Sequence, residues 1–317
     1  MKESLDCIAC GVGSFRPFII ARDRMFGGRH KFLYQRCDHC GILRQQPLLS
    51  EIQVKRYYPS RNYYSYQKDI QKGLFDRIRQ YLLIHYYAPT LITRFMTMII
   101  PNVPAIPAVV KNGKVLDIGC GAGDTLLSLK SLGWNVYGLD IDSSAVRAAN
   151  RRGLKNVSYG SFRDMKKYPN SFFDAIRLYH VIEHLNDPQR CLSLIFKKLK
   201  KGGELIIGTP NAKSVVARIF GVYWYNLDAP RHAYVYTPEA LSKMLTRHGL
   251  IPSMCAFCSA GGIVGSLQYV VREKMPIRTI DLLSRAWLVM LVYPFEWLLD
   301  KIRIGDIFII RAEKKNL

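Results

Sequence analysis

The sequence predicts an α/β fold in which a doubly wound parallel sheet follows a small cysteine-rich module. Strand-like and helix-like segments alternate from Lys114 onward, a pattern typical of a parallel sheet with helices on both faces. A glycine-rich turn, residues 117–124, follows the first of these strands. Two CxxC pairs precede the alternating region, and paired cysteines of this kind indicate a zinc site.

The composition is that of a folded and strongly basic protein. The 317 residues carry a formal charge of +22, and 49% of them are hydrophobic. Such a chain can bury one or two cores of about 100–200 residues each, which excludes wholesale disorder and fibrous repeats. Its beginning is acidic and polar, and no stretch reaches the ~18 apolar residues of a membrane-spanning helix, so we expect a cytoplasmic protein. The charge attracts nucleic acid, anionic lipid or phosphorylated substrates without choosing among them.

The N-terminal module is predicted to be a zinc ribbon over residues 1–50. Each CxxC pair is followed at once by a glycine, and two such turns bring four thiolates to a tetrahedral Zn–S distance of ~2.3 Å. The aromatic and aliphatic residues between Phe15 and Tyr34 favour the strands of a small hairpin. A redox motif needs one pair rather than two, so we predict a structural Zn²⁺. The predicted ligands are Cys7, Cys10, Cys37 and Cys40.

Residues 51–113 are predicted to form a tyrosine-rich helical connector. Its helical stretch runs from about Leu74 to Ile100, where apolar residues recur at helical spacing with basic residues between them. This pattern fits a helix packed on the following domain, or a basic amphipathic surface lying on a membrane or over a substrate. Prolines between residues 101 and 107 then indicate an extended linker.

The alternating region covers residues 114–317 and has a nucleotide-binding architecture. Its helices are predicted at 125–132 and 144–152, and its strands at 114–118, 135–140, 156–159, 173–179, 203–208 and about 251–257. Some fifty residues, about 259–304, are inserted after the last of these strands. The apolar run 286–299 within them is broken by Pro294 and Glu296 and flanked by basic residues, which suits a membrane interface; an ordinary lid is the alternative.

The glycine-rich turn indicates the cofactor. It reads DIGCGAGD, and Asp124 stands where a dinucleotide fingerprint would have its last glycine. A carboxylate at a helix N-terminus repels a pyrophosphate, so NAD and ATP fit poorly. S-adenosylmethionine has no phosphate, a cationic sulfonium and an amino acid end, and suits an acidic turn. Asp117 would orient its ammonium group, and Asp140, at the end of the second strand, would accept hydrogen bonds from its ribose hydroxyls.

Four segments of the chain resemble the class I S-adenosylmethionine-dependent methyltransferases. They read VLDIGCGAG, GLDID, FDAIRLYHVIEHLNDP and LKKGGELIIGTPN, and the likeness covers about residues 114–250. Ubiquinone-pathway O-methyltransferases and sugar methyltransferases of polysaccharide clusters are especially similar. The CxxC…CxxCG module ahead of this domain further resembles that of sugar methyltransferases. The resemblance implies a Rossmann-like sheet of seven strands, with residues 305–312 as the last, antiparallel strand.

The resemblance also implies which residues contact the cofactor. Asp117 and the first two glycines of the turn would line the methionine end, and Tyr179 would face the transferring methyl group. Where the family often has an acid near adenine, this chain has Gly160-Ser161-Phe162, so adenine contact is predicted from Ser161 or Phe162. The predicted cofactor-binding residues are Asp117, Gly119, Gly121, Gly123, Asp140, Ile141, Ser161, Phe162 and Tyr179.

Histidines supply the candidates for a catalytic base, which a hydroxyl acceptor needs. These candidates are His180, His184 and His232. The last lies in an aromatic loop where Arg231 is expected either to bind an acceptor phosphate or to be surface-exposed. The run from His180 to His184 also matches the zinc-protease pattern HxxEH, but that pattern needs the middle of a helix and His180 closes a strand. Bracing of the loop is the alternative role for Glu183 and His184.

The main hypothesis is an enzyme that methylates oxygen or carbon of a sugar or glycan in surface polysaccharide or glycolipid synthesis. Its acceptor would be a sugar, a nucleotide-sugar or a lipid-linked glycan, and docking on an anionic membrane at the inner face stays open. An RNA methyltransferase that grips phosphates with the ribbon is less favoured, because no NPPY-like motif follows the fourth strand. Quinone-ring O-methylation is a third hypothesis. A non-catalytic scaffold is disfavoured by the intact cofactor motif.

Overall fold

A computed structural model describes residues 6–58, 78, 81–82, 90–99, 106–108, 110, 112–259, 261–275 and 281–315. Much of the predicted connector, including Leu74, therefore lies outside the described residues. The strands are β1 (Phe15–Arg22), β2 (Lys31–Cys37), β3 (Leu43–Gln46), β4 (Lys114–Ile118), β5 (Asn135–Asp140), β6 (Val157–Tyr159), β7 (Phe173–Tyr179), β8 (Leu199–Pro210), β9 (Tyr234–Val235), β10 (Leu250–Phe257) and β11 (Ile307–Lys314). The α-helices are α1 (Glu51–Lys55), α2 (Leu91–Ile99), α3 (Asp124–Ser131), α4 (Ser143–Arg151), α5 (Pro188–Lys198), α6 (Val215–Phe220), α7 (Pro238–Arg247), α8 (Gly262–Lys274) and α9 (Ala286–Lys301).

The larger sheet has seven strands, in the order β10-β11-β8-β7-β4-β5-β6. The strands from β4 to β8 run parallel, and β11 is antiparallel to both of its neighbours. This confirms the predicted doubly wound sheet with a last antiparallel strand. Apolar runs such as KVLDI in β4 are buried because helices cover both faces of a parallel sheet.

Two separate hydrophobic clusters show that helices cover both faces of this sheet. One contains Leu126 of α3 and Val146 of α4, and the other contains Leu192 of α5 and Leu241 of α7. The second cluster also includes ribbon residues, among them Ile42. The ribbon and the larger sheet therefore share one continuous core.

The smaller sheet joins the cysteine-rich module to the rest of the chain. Its order is β1-β2-β3-β9, and all of its pairs are antiparallel. The predicted hairpin is present as β1 and β2. Its fourth strand, β9, comes from the loop that follows β8, so a segment 190 residues further along the chain completes the ribbon sheet through the pair Arg44 and Tyr234.

The insertion after β10 consists of the helices α8 and α9. Pro294 and Glu296 interrupt the apolar run of the sequence but not the helix, since α9 continues through both residues. Glu296 is buried because its carboxylate accepts hydrogen bonds from the backbone N–H groups of Gly261 and Ile263, at the start of α8. In the described part of the chain, no helix is long and apolar enough to cross a membrane.

Candidate active site

The four predicted zinc ligands lie together at one end of the ribbon sheet. The Sγ atoms of Cys7 and Cys40 are 3.5 Å apart, and those of Cys10 and Cys37 are 3.8 Å apart. All four lie within 4.8 Å of one another. A tetrahedral site with Zn–S bonds of ~2.3 Å separates its sulfur atoms by about 3.8 Å. The cluster therefore has the dimensions that Zn²⁺ requires.

The turns that carry the cysteines depend on the glycine that follows each pair. Gly11 donates its N–H to the carbonyl oxygen of Cys7 at 2.8 Å, and Gly41 donates to that of Cys37 at 2.9 Å. Both glycines have φ near +73°, a conformation that other residues adopt at a cost. The hydrogen bond from Cys40 also lowers the pKa of Cys7 to about 5, so one thiolate is favoured before any metal binds.

The ribbon holds the loop that leads to β9. The backbone N–H of Gln45 donates to the carbonyl oxygen of Ala233 at 2.9 Å. The phenol of Tyr34 is buried and donates to the carbonyl oxygen of His232 at 2.7 Å. Thr237 donates its hydroxyl to the carbonyl oxygen of Cys40 at 2.9 Å. The position of His232 is therefore fixed by contacts from the cysteine-rich module.

A buried arginine links the cysteine-rich module to the loop before β9. The guanidinium of Arg231 donates to both carboxylate oxygens of Asp23, at 2.9 and 3.0 Å, and to Asp228. It also donates to the carbonyl oxygen of Tyr57, so each of its N–H groups has a partner. Burial opposes ionisation of Asp228, but Arg231 outweighs it and lowers its pKa. The expected surface exposure of Arg231 is wrong, and its donors are not free for an acceptor phosphate.

The glycine turn and Asp140 form the predicted cofactor side. Gly121 donates its N–H to one carboxylate oxygen of Asp140 at 2.7 Å, and Asp142 donates to the other at 2.8 Å. Burial raises the pKa of Asp140, and these two hydrogen bonds oppose that rise. A Cβ atom added to Gly121 would meet no atom of the described chain within 4 Å. The turn thus faces open space beside an oriented carboxylate, as a bound nucleoside would need.

Asp117, predicted to orient the cofactor's ammonium group, is paired inside the sheet. Nη1 of Arg177 lies 3.0 Å from both of its carboxylate oxygens, because the register of β4 and β7 places these residues side by side. Burial raises the pKa of Asp117, and the charge of Arg177 acts against this. The guanidinium also lies 4.7 Å from the ring centre of Tyr179. The methionine end of the predicted site therefore contains a cation as well as an acid.

The residues predicted near adenine occupy different environments. Ile141 is exposed at the end of β5, where an apolar ring could cover it. Phe162 is buried in the core. Ser161 caps a short 3-10 helix, accepting from the N–H of Arg163 while its own N–H donates to Asp164. The adenine contact predicted from Ser161 or Phe162 stays a prediction.

The end of β7 brings a histidine and a carboxylate against the glycine turn. A Cβ atom on Gly119 would lie 2.4 Å from Cγ2 of Val181, so Val181, which follows His180, packs directly on the turn. Nδ1 of His180 lies 3.2 Å from Oε1 of Glu183. Burial opposes ionisation of Glu183, but the hydrogen bond from His180 and the charges of the three neighbouring histidines together outweigh it and lower the pKa of Glu183 to about 2. His180 adopts φ 54°, and its side chain is 37% exposed.

His184 and His232 complete a cluster of three histidines around Glu183. Their ring centroids are 4.7 Å apart, and both rings have Nδ1 at 3.0 Å from a backbone carbonyl oxygen. His232 is buried, whereas His184 is partly exposed and contacts the hydroxyl of Tyr58 at 3.2 Å. The structure therefore brings the three predicted catalytic histidines into one place beside the glycine turn.

Several residues of this region were missed by the reasoning from sequence. Asp23 and Asp228 orient Arg231, and Thr209 donates its hydroxyl to Oε2 of Glu183 at 2.9 Å. Arg177 was missed as well, although a charged residue between the apolar residues Ile176 and Leu178 of β7 was a readable signal. Nothing in the local sequence marks Asp23, which lies 208 residues from its partner.

Comparison with protein families gives one match of just over half of the chain. A model described as a methyltransferase domain matches residues 84–251. The ubiquinone biosynthesis O-methyltransferase of Bradyrhizobium sp. (strain ORS 278) is 30% identical over 147 residues, 44% of this chain and 58% of that protein. The corresponding protein of Cupriavidus pinatubonensis is 26% identical over 149 residues, 43% of this chain and 59% of that protein. The chain thus spans about three fifths of the length of these relatives.

Solved structures also resemble this chain. A SAM dependent methyltransferase from Archaeoglobus fulgidus is 21% identical, with a TM-score of 0.49 over 80% of this chain and 100% of that chain. Geranyl diphosphate C-methyltransferase from Streptomyces coelicolor is 14% identical, with a TM-score of 0.44 over 64% of this chain and 72% of that chain.

Proposed function

This chain belongs to the methyltransferase-domain family, and on that premise we propose that it transfers a methyl group from S-adenosylmethionine to a hydroxyl oxygen of a sugar. When bound, S-adenosylmethionine supplies a methyl group on a positively charged sulfur, open to in-line attack. Attack by a hydroxyl requires that the hydroxyl proton be removed. The residues at the end of β7 are suited to that task.

The observation that carries the proposal is the pairing of His180 with Glu183. Glu183 is fully buried and its pKa is held at about 2, so it is a carboxylate that fixes the imidazole through Nδ1. Nε2 of His180 is then the atom that takes the acceptor proton, as general bases oriented by a carboxylate do. This arrangement favours methylation of oxygen over methylation of carbon. His184 and His232, which lie close to Glu183, are proposed to line the acceptor side.

The cofactor side is proposed to use the residues of the glycine turn and its neighbours. Asp140 keeps one free lone pair on each carboxylate oxygen after accepting from Gly121 and Asp142, and these suit two ribose hydroxyls. Ile141 would cover adenine. Asp117 would meet the ammonium group while Arg177, 3.0 Å away, is placed to meet the carboxylate of the same methionine end.

The cysteine cluster is proposed to hold a structural Zn²⁺. Sulfur separations of 3.5 and 3.8 Å match a tetrahedral site. Four cysteine ligands leave no open position for substrate, so the ion would stabilise the ribbon and, through β9, the loop that carries His232.

The acceptor is proposed to be a sugar hydroxyl of a lipid-linked glycan. The sequence of the ribbon module resembles that of sugar methyltransferases, and α9 presents a continuous apolar face to solvent. Its exposed residues include Trp287, Leu291, Phe295 and Leu298, and the exposed Ile302 follows the last residue of the helix. Arg285 and Lys301 flank this face, and apolar and basic side chains together suit the surface of an anionic membrane. A quinol ring hydroxyl is the second candidate, favoured by the names of the curated relatives.

Two variants measured together test the proposal. His180→Gln should lower kcat by about 100-fold or more, because the proton loses its acceptor, while affinity for S-adenosylmethionine stays within about threefold. Asp140→Ala should do the opposite and weaken cofactor affinity by about 100-fold, since charged hydrogen bonds to two hydroxyls are lost. Calorimetry gives the affinity, and single-turnover rates with radiolabelled methyl give the chemical step.

The acceptor class is decided by the same assay with undecaprenyl-linked sugars, nucleotide-sugars and catechol-type quinols as substrates. Methylation of sugars alone supports the main proposal, and methylation of quinols alone overturns it in favour of the second. The distant variant His248→Ala, whose Nδ1 contacts the carbonyl oxygen of Met244 at the end of α7, serves as the control. If the His180→Gln variant turns over at the wild-type rate, His180 is not the general base.

A further inference from the structure

His184 and His232 lie near the proposed base, His180, and each has a ring nitrogen that takes no part in the proposed proton transfer. Nδ1 of His184 lies 3.0 Å from the carbonyl oxygen of Arg231, and Nδ1 of His232 lies 3.0 Å from that of Asn226. A carbonyl oxygen only accepts, so Nδ1 of each ring donates, and Nε2 of the neutral ring carries a lone pair. Imidazoles oriented through one nitrogen in this way are typical of metal ligands.

Glu183 supplies a third ligand atom to the same small volume. Its carboxylate and a ring nitrogen from each of His184 and His232 lie within 4.8 Å of one another. Metal bonds of about 2.0–2.2 Å to nitrogen and oxygen place neighbouring ligand atoms about 3–4 Å apart. Small side-chain adjustments are therefore enough to bring all three onto one ion. The carboxylate is itself oriented by the hydroxyl of Thr209 at 2.9 Å, as ligating carboxylates usually are.

The charges around these three residues favour a cation. The side chain of Asp228 is 7% exposed, with its Oδ2 4.0 Å from Nε2 of His232, and Asp23 and Glu183 are buried carboxylates. Arg231 compensates Asp23 and Asp228, whereas the partners of Glu183 are the imidazole of His180 and the hydroxyl of Thr209. A buried carboxylate is stable when it is paired or coordinates a metal.

We propose that Glu183, His184 and His232 bind a divalent transition metal ion at a site separate from the cysteine cluster. Two imidazoles and one carboxylate suit Mn²⁺, Fe²⁺ or Zn²⁺, and three protein ligands leave coordination positions open. His180 stays outside this ligand set. The role of this ion in catalysis rests on the proposed function. The acceptor hydroxyl would bind at one open position, and the ion would lower the pKa of that hydroxyl, so that His180 receives its proton more readily.

Binding of Mn²⁺ alone tests the proposal without cofactor, acceptor or turnover. The full chain is purified with its cysteine cluster loaded with zinc, because hard Mn²⁺ competes poorly for thiolates. Titration followed by electron paramagnetic resonance should show one bound Mn²⁺ per chain. Electron spin echo modulation should show two directly bound imidazole nitrogens. His184→Ala should leave one nitrogen and weaken binding by about 100-fold, and Glu183→Gln should weaken it by a similar factor.

The control is His248→Ala, which should bind Mn²⁺ like the wild type. His184 is partly exposed, so its alanine variant is expected to fold, and circular dichroism verifies this before titration. No bound Mn²⁺ at about millimolar concentration, or binding that both ligand variants leave unchanged, overturns the proposal. Because methyl transfer is not measured, failure of this site and failure of the proposed function are separate results.

Discussion

The two halves of the candidate site are assembled in different ways. On the cofactor side, Gly121 and its partner Asp140 are 19 residues apart, in the turn after β4 and at the end of the adjacent parallel strand β5. On the acceptor side, Arg231 and its partner Asp23 are 208 residues apart. The first half consists of a local turn on a rigid sheet. The second exists only where the ribbon, the loop before β9 and the end of β7 meet, so damage to the ribbon should reach the acceptor side first.

Loss of zinc from the ribbon should give the largest difference between the two halves of the site, since it should affect the acceptor side and leave the cofactor side intact. Cys37→Ser removes one of four ligands, and structural zinc contributes about 10–16 kcal/mol in zinc-finger peptides. We expect less than about one zinc per chain at the cysteine cluster, loss of transfer to the acceptor, and fast amide hydrogen exchange in residues 15–46 and 225–237. Residues 114–159 should stay protected and affinity for S-adenosylmethionine should stay near that of the wild type.

Cys255→Ser is the matched control, since Cys255 lies outside the cluster and is half-buried. The zinc content, the amide hydrogen exchange rates and the turnover of this variant should equal those of the wild type. The comparison of the two halves fails if Cys37→Ser loses protection over residues 114–159 to the same extent as over the ribbon.

A pair of arginine variants measures the same difference in folding stability. Arg231→Met leaves Asp23 and Asp228 buried without their cation, which costs about 3–5 kcal/mol. Arg152→Met removes the partner of Asp124 on the cofactor side. The Asp124 side chain is 79% exposed, so this loss should cost less than about 1 kcal/mol. Urea unfolding followed by fluorescence gives both values. Equal costs would mean that the buried pair does not hold the ribbon to the loop.

The same contrast decides how much of the molecule the sequence predicts. The alternating strands and helices, the glycine turn and the four cysteines depend on local patterns of hydrophobicity and spacing, and the structure has them within a few residues of the predicted bounds. The seventh, antiparallel strand was predicted from the family resemblance instead. The pairing of β3 with β9 and the burial of Arg231 depend on contacts between distant segments. A single sequence carries no local signal for such contacts.

Pro294 and Glu296 in α9 show the same principle. Taken alone, a proline and a charged residue in an apolar run predict a break. The carboxylate of Glu296 instead accepts from two N–H groups at the start of α8. These two hydrogen bonds stabilise α9 through a tertiary contact, which the helix propensities of the individual residues do not predict.

The pH dependence of folding stability should include a contribution from a buried carboxylate on the acceptor side. Asp306 is buried beneath the loop that carries His232, where it accepts from Ser214, Trp224 and Asn226. Burial raises its pKa to about 7, above its unfolded value, so the folded state binds more protons and stability falls as pH rises from about 4 to 7. The expected loss is about 3 kcal/mol. Asp306→Asn should flatten this slope, as urea unfolding at each pH would reveal; an unchanged slope would assign the effect to other groups.

Docking of α9 on membranes should give the smallest effect, because it involves surface residues alone. Trp287→Ser with Leu291→Ser removes two exposed apolar side chains, and burial of such side chains contributes about 1.5–3 kcal/mol each when complete. At the shallow depth of an interface we expect about tenfold weaker flotation with vesicles of phosphatidylglycerol and phosphatidylcholine. Ile219→Ser, an equally exposed change on α6, should float like the wild type. If neither change alters flotation, or the wild type does not float, the apolar face is not a membrane surface, and a soluble nucleotide-sugar replaces the lipid-linked glycan as the acceptor to test.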